Sequence, residues 1–202
     1  MQFFLNFAYM GSFILTPLFL EEAFGYGETR IGLLTIARPL AFSLSAPVAG
    51  YLAVRVGERT AAVTGALCVC LSALAWQTVG PGSADVAVMA ALALAGVGLG
   101  VALPSMAASV ANAVEDNHLG IAGATQQLIT QIGIVAGIQI AQTVQAARER
   151  EVGLVASYHQ AYLVAGFVAA LGLVAAFFVR RTPRAERAPT TSDDAVEVFA
   201  TG

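Results

Sequence analysis

With 202 residues, 57% of them hydrophobic, 11% charged and a mean hydropathy of +0.74, the chain falls outside the composition of a soluble domain. The net charge of −3 carries little weight, because all ten basic residues are Arg and their placement between segments matters more than the sum. This balance speaks against nucleic acid as a partner and for the lipid bilayer.

Charge is confined to short gaps. Met1–Leu20, Thr60–Ala84, Val86–Val114, Asn117–Ala147 and Val152–Val179 hold no Asp, Glu, Lys or Arg, and Ile31–Val54 holds only Arg38. About 20 apolar residues cross the hydrocarbon core as a helix. The expected fold is therefore an all-α membrane protein with six transmembrane helices, over 2–21, 31–54, 61–80, 86–113, 121–146 and 157–179. The short connections make consecutive helices antiparallel neighbours. Met1 runs directly into apolar sequence, without the basic start or small-residue cleavage site of a signal peptide.

Helix one carries Asn6, Thr16 and Pro17, polar or helix-distorting residues that are weak candidates for a substrate pathway. Arg38 in helix two is the stronger candidate. A full charge at mid-membrane costs about 2.5–3.5 kcal/mol on insertion scales, so it needs an aqueous cavity or a pairing partner. Both readings stand at this point. Pro39 should distort the helix beside it.

The second connection and its flanks contain Gly50, Arg55, Gly57 and Arg59. Gly50 would let two helix backbones approach, and Gly57 permits a turn that a side chain resists. A basic turn obeying the charge rule for cytoplasmic loops gives the same run. In helix three, Cys68 and Cys70 point in different directions, which disfavours a disulfide or a metal site. Helix four pairs Gly96 with Gly100 and carries Pro104, the composition of a close contact or of a hinge.

Helix five places Gly133 and Gly137 on one side. At the helical repeat, Gln127, Gln131 and Gln142 fall within a sector of about 60° on another side. The glycines suit packing, while the glutamines suit either a cavity wall or hydrogen bonding between helices. His118, in the fourth connection, and His159, in helix six, lack ligand spacing. No nucleophile–base set, metal spacing or cofactor motif occurs, so no cofactor is expected and an enzyme ranks last. Leu173 in helix six serves as a lipid-facing reference position. Beyond 181 the chain turns polar, and residues 182–202 are expected to form a disordered cytoplasmic tail.

The run from Gly50 to Arg59 resembles the glycine-arginine loop motif of the major facilitator superfamily, with Gly50, Leu52, Arg55, Gly57 and Arg59 matching and Val54 standing where that motif is acidic. Gln131, Gly133 and Gly137 are similar to the penultimate-helix pattern of its fourteen-helix drug:proton antiporter branch, with Thr130 where Arg is usual. The resemblance extends over Met1 to about Arg181 and implies the C-terminal six-helix half of such a transporter. It implies proton-driven efflux of hydrophobic or cationic small molecules from a bacterial inner membrane. The partner would be an N-terminal half or a second chain. A non-transporting scaffold or assembly subunit is the alternative. No Asp or Glu lies inside a span, so a proton-carrying carboxylate is missing from the pathway candidates.

Arg55, Arg59, Arg180, Arg181, Arg184 and Arg187 fall on one side of this topology, against Arg30, Arg148 and Arg150 on the other. That bias places both termini in the cytoplasm. Membrane-impermeant thiol labelling from outside should miss a cysteine placed at Arg59 and reach one placed at Gly82; the opposite pattern reverses the orientation.

Overall fold

The computed structural model describes residues 1–178, without the side chains of 52–56 and 116. The expected tail, with Arg180, Arg181, Arg184 and Arg187, lies outside the described residues. The chain forms α1 (Gln2–Glu22), α2 (Glu28–Thr35), α3 (Ala37–Val56), α4 (Glu58–Ala75), α5 (Asp85–Ala111), α6 (Leu119–Val152) and α7 (Leu154–Phe177). Six spans are long and apolar enough to cross a membrane, with α2 and α3 forming one of them.

Three boundaries differ from the sequence reading, each for a local reason. The expected single helix over 31–54 is interrupted between Thr35 and Ala37. Pro39 has no N–H to offer the Thr35 carbonyl, and its ring crowds that carbonyl one turn earlier. The connection expected over 55–60 shrinks to Gly57, whose φ of 92° reverses the chain in one residue and lets α4 begin at Glu58. The connection expected over 147–156 is helix as far as Val152. The charges there mark helix emerging into water, where the Arg148–Glu151 pair at 2.7 Å supports the last turn. Gly153, at φ 84°, then makes the turn into α7.

Two groups of three spans build the bundle. α1 packs against α6 and α7, α5 packs against α3 and α4, and α4 against α7 joins the groups. The first helix of each sequence triplet thus packs on the second and third helices of the other triplet. Among the described residues α3 and α6 make no contact. Burial is correspondingly uneven: 61% of the crossing stretch of α1 is enclosed by the chain, against 22% for α2–α3 and 17% for α6.

Lipid supplies no hydrophobic drive for helices to associate, so contact depends on close backbone approach and interhelical bonds. A Cβ on Gly133 would stand 2.6 Å from the Phe3 carbonyl oxygen of α1, and one on Gly137 would strike that of Phe7. A Cβ on Gly96 would strike the Arg38 carbonyl of α3, and one on Gly100 the Ser45 hydroxyl. Both pairs therefore sit at backbone-close contacts. A third contact joins Gly65 of α4 to Gly98 of α5, where each added Cβ would meet the other residue's carbonyl oxygen, at 2.5 and 2.8 Å. Gly50 departs from expectation: none of the described atoms lies within 4 Å of a Cβ placed there. Pro104 lies inside α5 without ending it.

At one end of the bundle, Arg30 holds Asp85 through two bonds of 2.8 Å from Nη2, and Tyr26 donates to the same carboxylate at 3.1 Å. Nearby, Tyr158 donates to Glu22 at 2.6 Å, and Trp76 stacks on Tyr162 at 4.8 Å between ring centroids. At the other end, Glu58 accepts from Ser109 at 2.8 Å and Asn112 at 2.7 Å, tying α4 to α5. Leu173 is half-buried and packs on the central core beside α1, so it is not the lipid-facing reference expected of it. Val174 is exposed and takes that role.

Gly137→Leu should destabilise the detergent-solubilised protein by at least about 1–3 kcal/mol, since the new side chain meets backbone that cannot rotate away. Val174→Ala should change the melting temperature little. Equal melting of Gly137→Leu and wild type in a thermal unfolding assay would remove the packing role of that glycine.

Candidate functional site

The polar centre of the bundle is built on α1. Ser12 Oγ donates to the Tyr9 carbonyl at 2.9 Å, and Thr16 Oγ1 donates to the Ser12 carbonyl at 2.7 Å. Side chains that bond back to their own helix in this way satisfy themselves where water is absent. Thr16 Oγ1 also lies 3.1 Å from the Tyr162 hydroxyl of α7. The next residue, Pro17, removes a backbone donor from the same helix.

Arg38 enters this centre from α3. The interruption before it frees the chain to redirect, and Gly96 allows the α3 backbone at Arg38 to settle directly on α5. The side chain is 1% exposed. Nη1 donates to the Tyr9 carbonyl at 3.5 Å and Nη2 to Ser12 Oγ at 3.4 Å, both long bonds, while Nε has no acceptor. The guanidinium carbon stands 5.1 Å from the centre of the Tyr9 ring and 5.4 Å from that of Phe13. Facing π-clouds stabilise a cation in part. No carboxylate of the described residues pairs with it. A cavity of about 150 Å³ adjoins it, lined by Phe13, Thr16, Pro17, Thr35, Arg38 and Leu92.

The remaining candidates lie elsewhere. Gln127 and Gln131 are exposed on α6 and make no hydrogen bond to the described residues, so they are not glue between these helices. Gln142 is half-buried on the same helix. Asn6 is buried and donates to the Gln2 carbonyl of its own helix at 3.0 Å. Gln2 itself reaches Thr130 Oγ1 at 2.6 Å and bonds α1 to α6. Arg59 is half-buried at the start of α4, and the side chain of Arg55 lies outside the described residues. His159 Nε2 lies 2.8 Å from the Val79 carbonyl and serves the connection after α4. His118 sits in the exposed turn before α6, near Glu115. Cys68 and Cys70 are free thiols, half-buried on α4. A separate groove of about 540 Å³ runs between α3, α4 and α5, with Leu44, Val48, Thr64 and Val101 among its lining residues.

The structure thus brings Arg38 together with Tyr9, Ser12, Thr16 and Tyr162, and leaves the glutamines apart from it. Tyr9, Ser12 and Tyr162 went unnoticed in the sequence. The signal was there for Ser12 and Thr16, two hydroxyls four residues apart and so on one face of helix one.

Six apolar spans packed into one helical bundle define a polytopic membrane domain. The sequence model of the Major Facilitator Superfamily matches residues 1–201, and the chain belongs to that family. It is 27% identical over 141 residues to the multidrug resistance protein Stp of Mycobacterium tuberculosis, in two strains; the match takes in 70% of this chain and 26% of that protein. Crystal structures of the peptide transporter POT, in complex with alafosfalin and with sulfate, superpose with a TM-score of 0.69 at 20% and 21% identity. They cover 98% of this chain, and the chain covers 42% of theirs. The chain therefore spans about a quarter of the curated relative and less than half of the solved transporters.

Thr16→Val should leave the buried Tyr162 hydroxyl without its partner and cost about 1–3 kcal/mol. Adding Tyr162→Phe removes the orphan and should recover most of that loss. A double-mutant cycle of melting curves that finds no coupling would dissolve the network.

Proposed function

We propose that this chain is the C-terminal six-helix half of a secondary transporter of the fourteen-helix drug:proton antiporter branch, exporting hydrophobic or cationic compounds. The observation that carries this reading is the open face of α6. Gln127 and Gln131 sit on a membrane-spanning helix, exposed and without hydrogen bonds to the rest of the described chain. Bare amides facing hydrocarbon are costly. They are at home beside water or against a second half that encloses a midplane site, the arrangement by which transporters rock between two openings.

The family, the multidrug resistance relative and the fold support transport over catalysis. A bacterial relative supports a plasma membrane location, and the arginine bias supports cytoplasmic termini. In this reading Arg38 and the two glutamines shape the pathway without carrying the proton, because an arginine stays charged and an amide does not titrate. The coupling carboxylate then belongs to a second half or another chain. A non-transporting scaffold subunit is the second reading. The near-complete burial of Arg38 against α1 favours it.

Reconstituted alone in vesicles, residues 1–202 should give no pH-driven drug flux. Joined to a second six-helix half, they should give flux that Arg38→Ala weakens. Strong proton-coupled transport by the isolated chain would overturn the half-transporter reading, and no flux from any assembled form would favour the scaffold.

A further inference from the structure

On the half-transporter reading, on which this step rests, we infer that Gln139 is a third amide on the pathway wall of α6, and that this wall takes the uncharged, hydrogen-bonding part of a cargo molecule. Thr130 fixes which way α6 faces: it is buried and accepts from Gln2 of α1 at 2.6 Å. Gln139 follows nine residues later in the same helix. At about 100° per residue that is half a turn round, so Gln139 points directly away from α1. It is exposed, and its amide makes no hydrogen bond to the described residues. Its backbone carbonyl accepts from Thr143 Oγ1 at 2.7 Å. An amide so placed in a span is costly against lipid, for the same reason as Gln127 and Gln131.

The composition of the face chooses the chemistry of the cargo. Gln127, Gln131 and Gln139 spread over about 18 Å of helix, more than half of a hydrocarbon core of about 30 Å. Gln127 and Gln139 lie on opposite sides of the middle of the span, so a cargo crossing the bilayer meets an amide on each side. Exposed Leu128, Ile132 and Val135 stand between them. A surface that is apolar with amides at intervals fits a molecule built the same way. An amide donates and accepts, so it pairs with a hydroxyl, a carbonyl or another amide. Cations inside a membrane are held by carboxylates or by aromatic faces. From Leu119 to Ala147, α6 has neither. The charge of a cationic cargo is therefore balanced on other walls, and α6 discriminates by hydrogen bonding.

The test uses the chain joined to a second six-helix half, in a background free of other cysteines, with labelling in open membrane fragments and flux in sealed vesicles. A membrane-impermeant thiol reagent should label Gln127→Cys and Gln139→Cys. It should miss Leu163→Cys, a residue exposed on α7 at a similar depth. Chloramphenicol, a neutral molecule with an amide and two hydroxyls, should slow labelling of Gln139→Cys. In flux, Gln139→Leu should raise the KM for chloramphenicol about three- to tenfold, the worth of one hydrogen bond. Tetraphenylphosphonium, a cation with no hydrogen-bonding group, should keep its KM, and Gln139→Asn should recover part of the loss for chloramphenicol. Labelling at Gln127→Cys without labelling at Gln139→Cys removes Gln139 from the wall and leaves the transporter reading standing. Labelling at neither position overturns both. Labelling that chloramphenicol does not slow overturns the cargo chemistry. An equal loss of both compounds in Gln139→Leu does so too, since it makes Gln139 a packing contact with the second half.

Discussion

In a bilayer the helices of this chain gain nothing by hiding apolar side chains from one another, because lipid is equally apolar. What holds them is contact between backbones, and here that contact is made at glycine. Gly133 and Gly137 bring α6 onto α1 at Phe3 and Phe7, Gly96 and Gly100 bring α5 onto α3, and Gly65 with Gly98 brings α4 onto α5. The consequences spread from there. The close seat of α3 on Gly96 is what carries Arg38 inward to α1, and the seat of α6 on α1 is what turns Gln127 and Gln131 outward. Polar bonds such as Gln2 to Thr130 then lock helices that are already touching.

Much of this was legible before any coordinates. Runs with at most one charge located all six spans, because a charge inside hydrocarbon is costly enough to be avoided wherever it has no purpose. Small residues spaced four apart revealed the glycine contacts of α6 on α1 and of α5 on α3. Gly65 and Gly98 escaped because the partners lie on different helices and share no spacing in the sequence. Gly50 misled for the converse reason: a small residue permits an approach without requiring one. The charged stretch after Ala147 read as loop, yet charge breaks a membrane span and not a helix, so α6 continues to Val152. The break before Arg38 was expected near Pro39, and its place one turn earlier follows from the missing bond to Thr35.

The candidate site was legible in part. A lone arginine in a span announces itself. Its surroundings do not, since Tyr9, Ser12 and Tyr162 are ordinary residues until α1, α3 and α7 converge. The glutamines were readable as a face but not as an open one. Their exposure depends on α3 and α6 standing on different helices of the bundle without touching, which is a matter of tertiary arrangement. The same arrangement leaves these two helices least enclosed, and places the residues with most polar capacity at opposite depths: Arg38 inside, the glutamines outside.

The single-residue connections at Gly57 and Gly153 bear on how the protein enters the membrane. Helices joined by one residue cannot be released into lipid far apart in time, so α3 with α4, and α6 with α7, leave the insertion machinery as hairpins. For α3 this joins the helix that carries Arg38 to α4 from the start, while the groups that surround Arg38 come from α1 and α5. In α6 the emergent turn with Arg148 and Glu151 remains in water and sets the depth at which its hairpin stops. The biogenesis of the chain is thereby written into two glycines whose backbone angles few other residues would adopt.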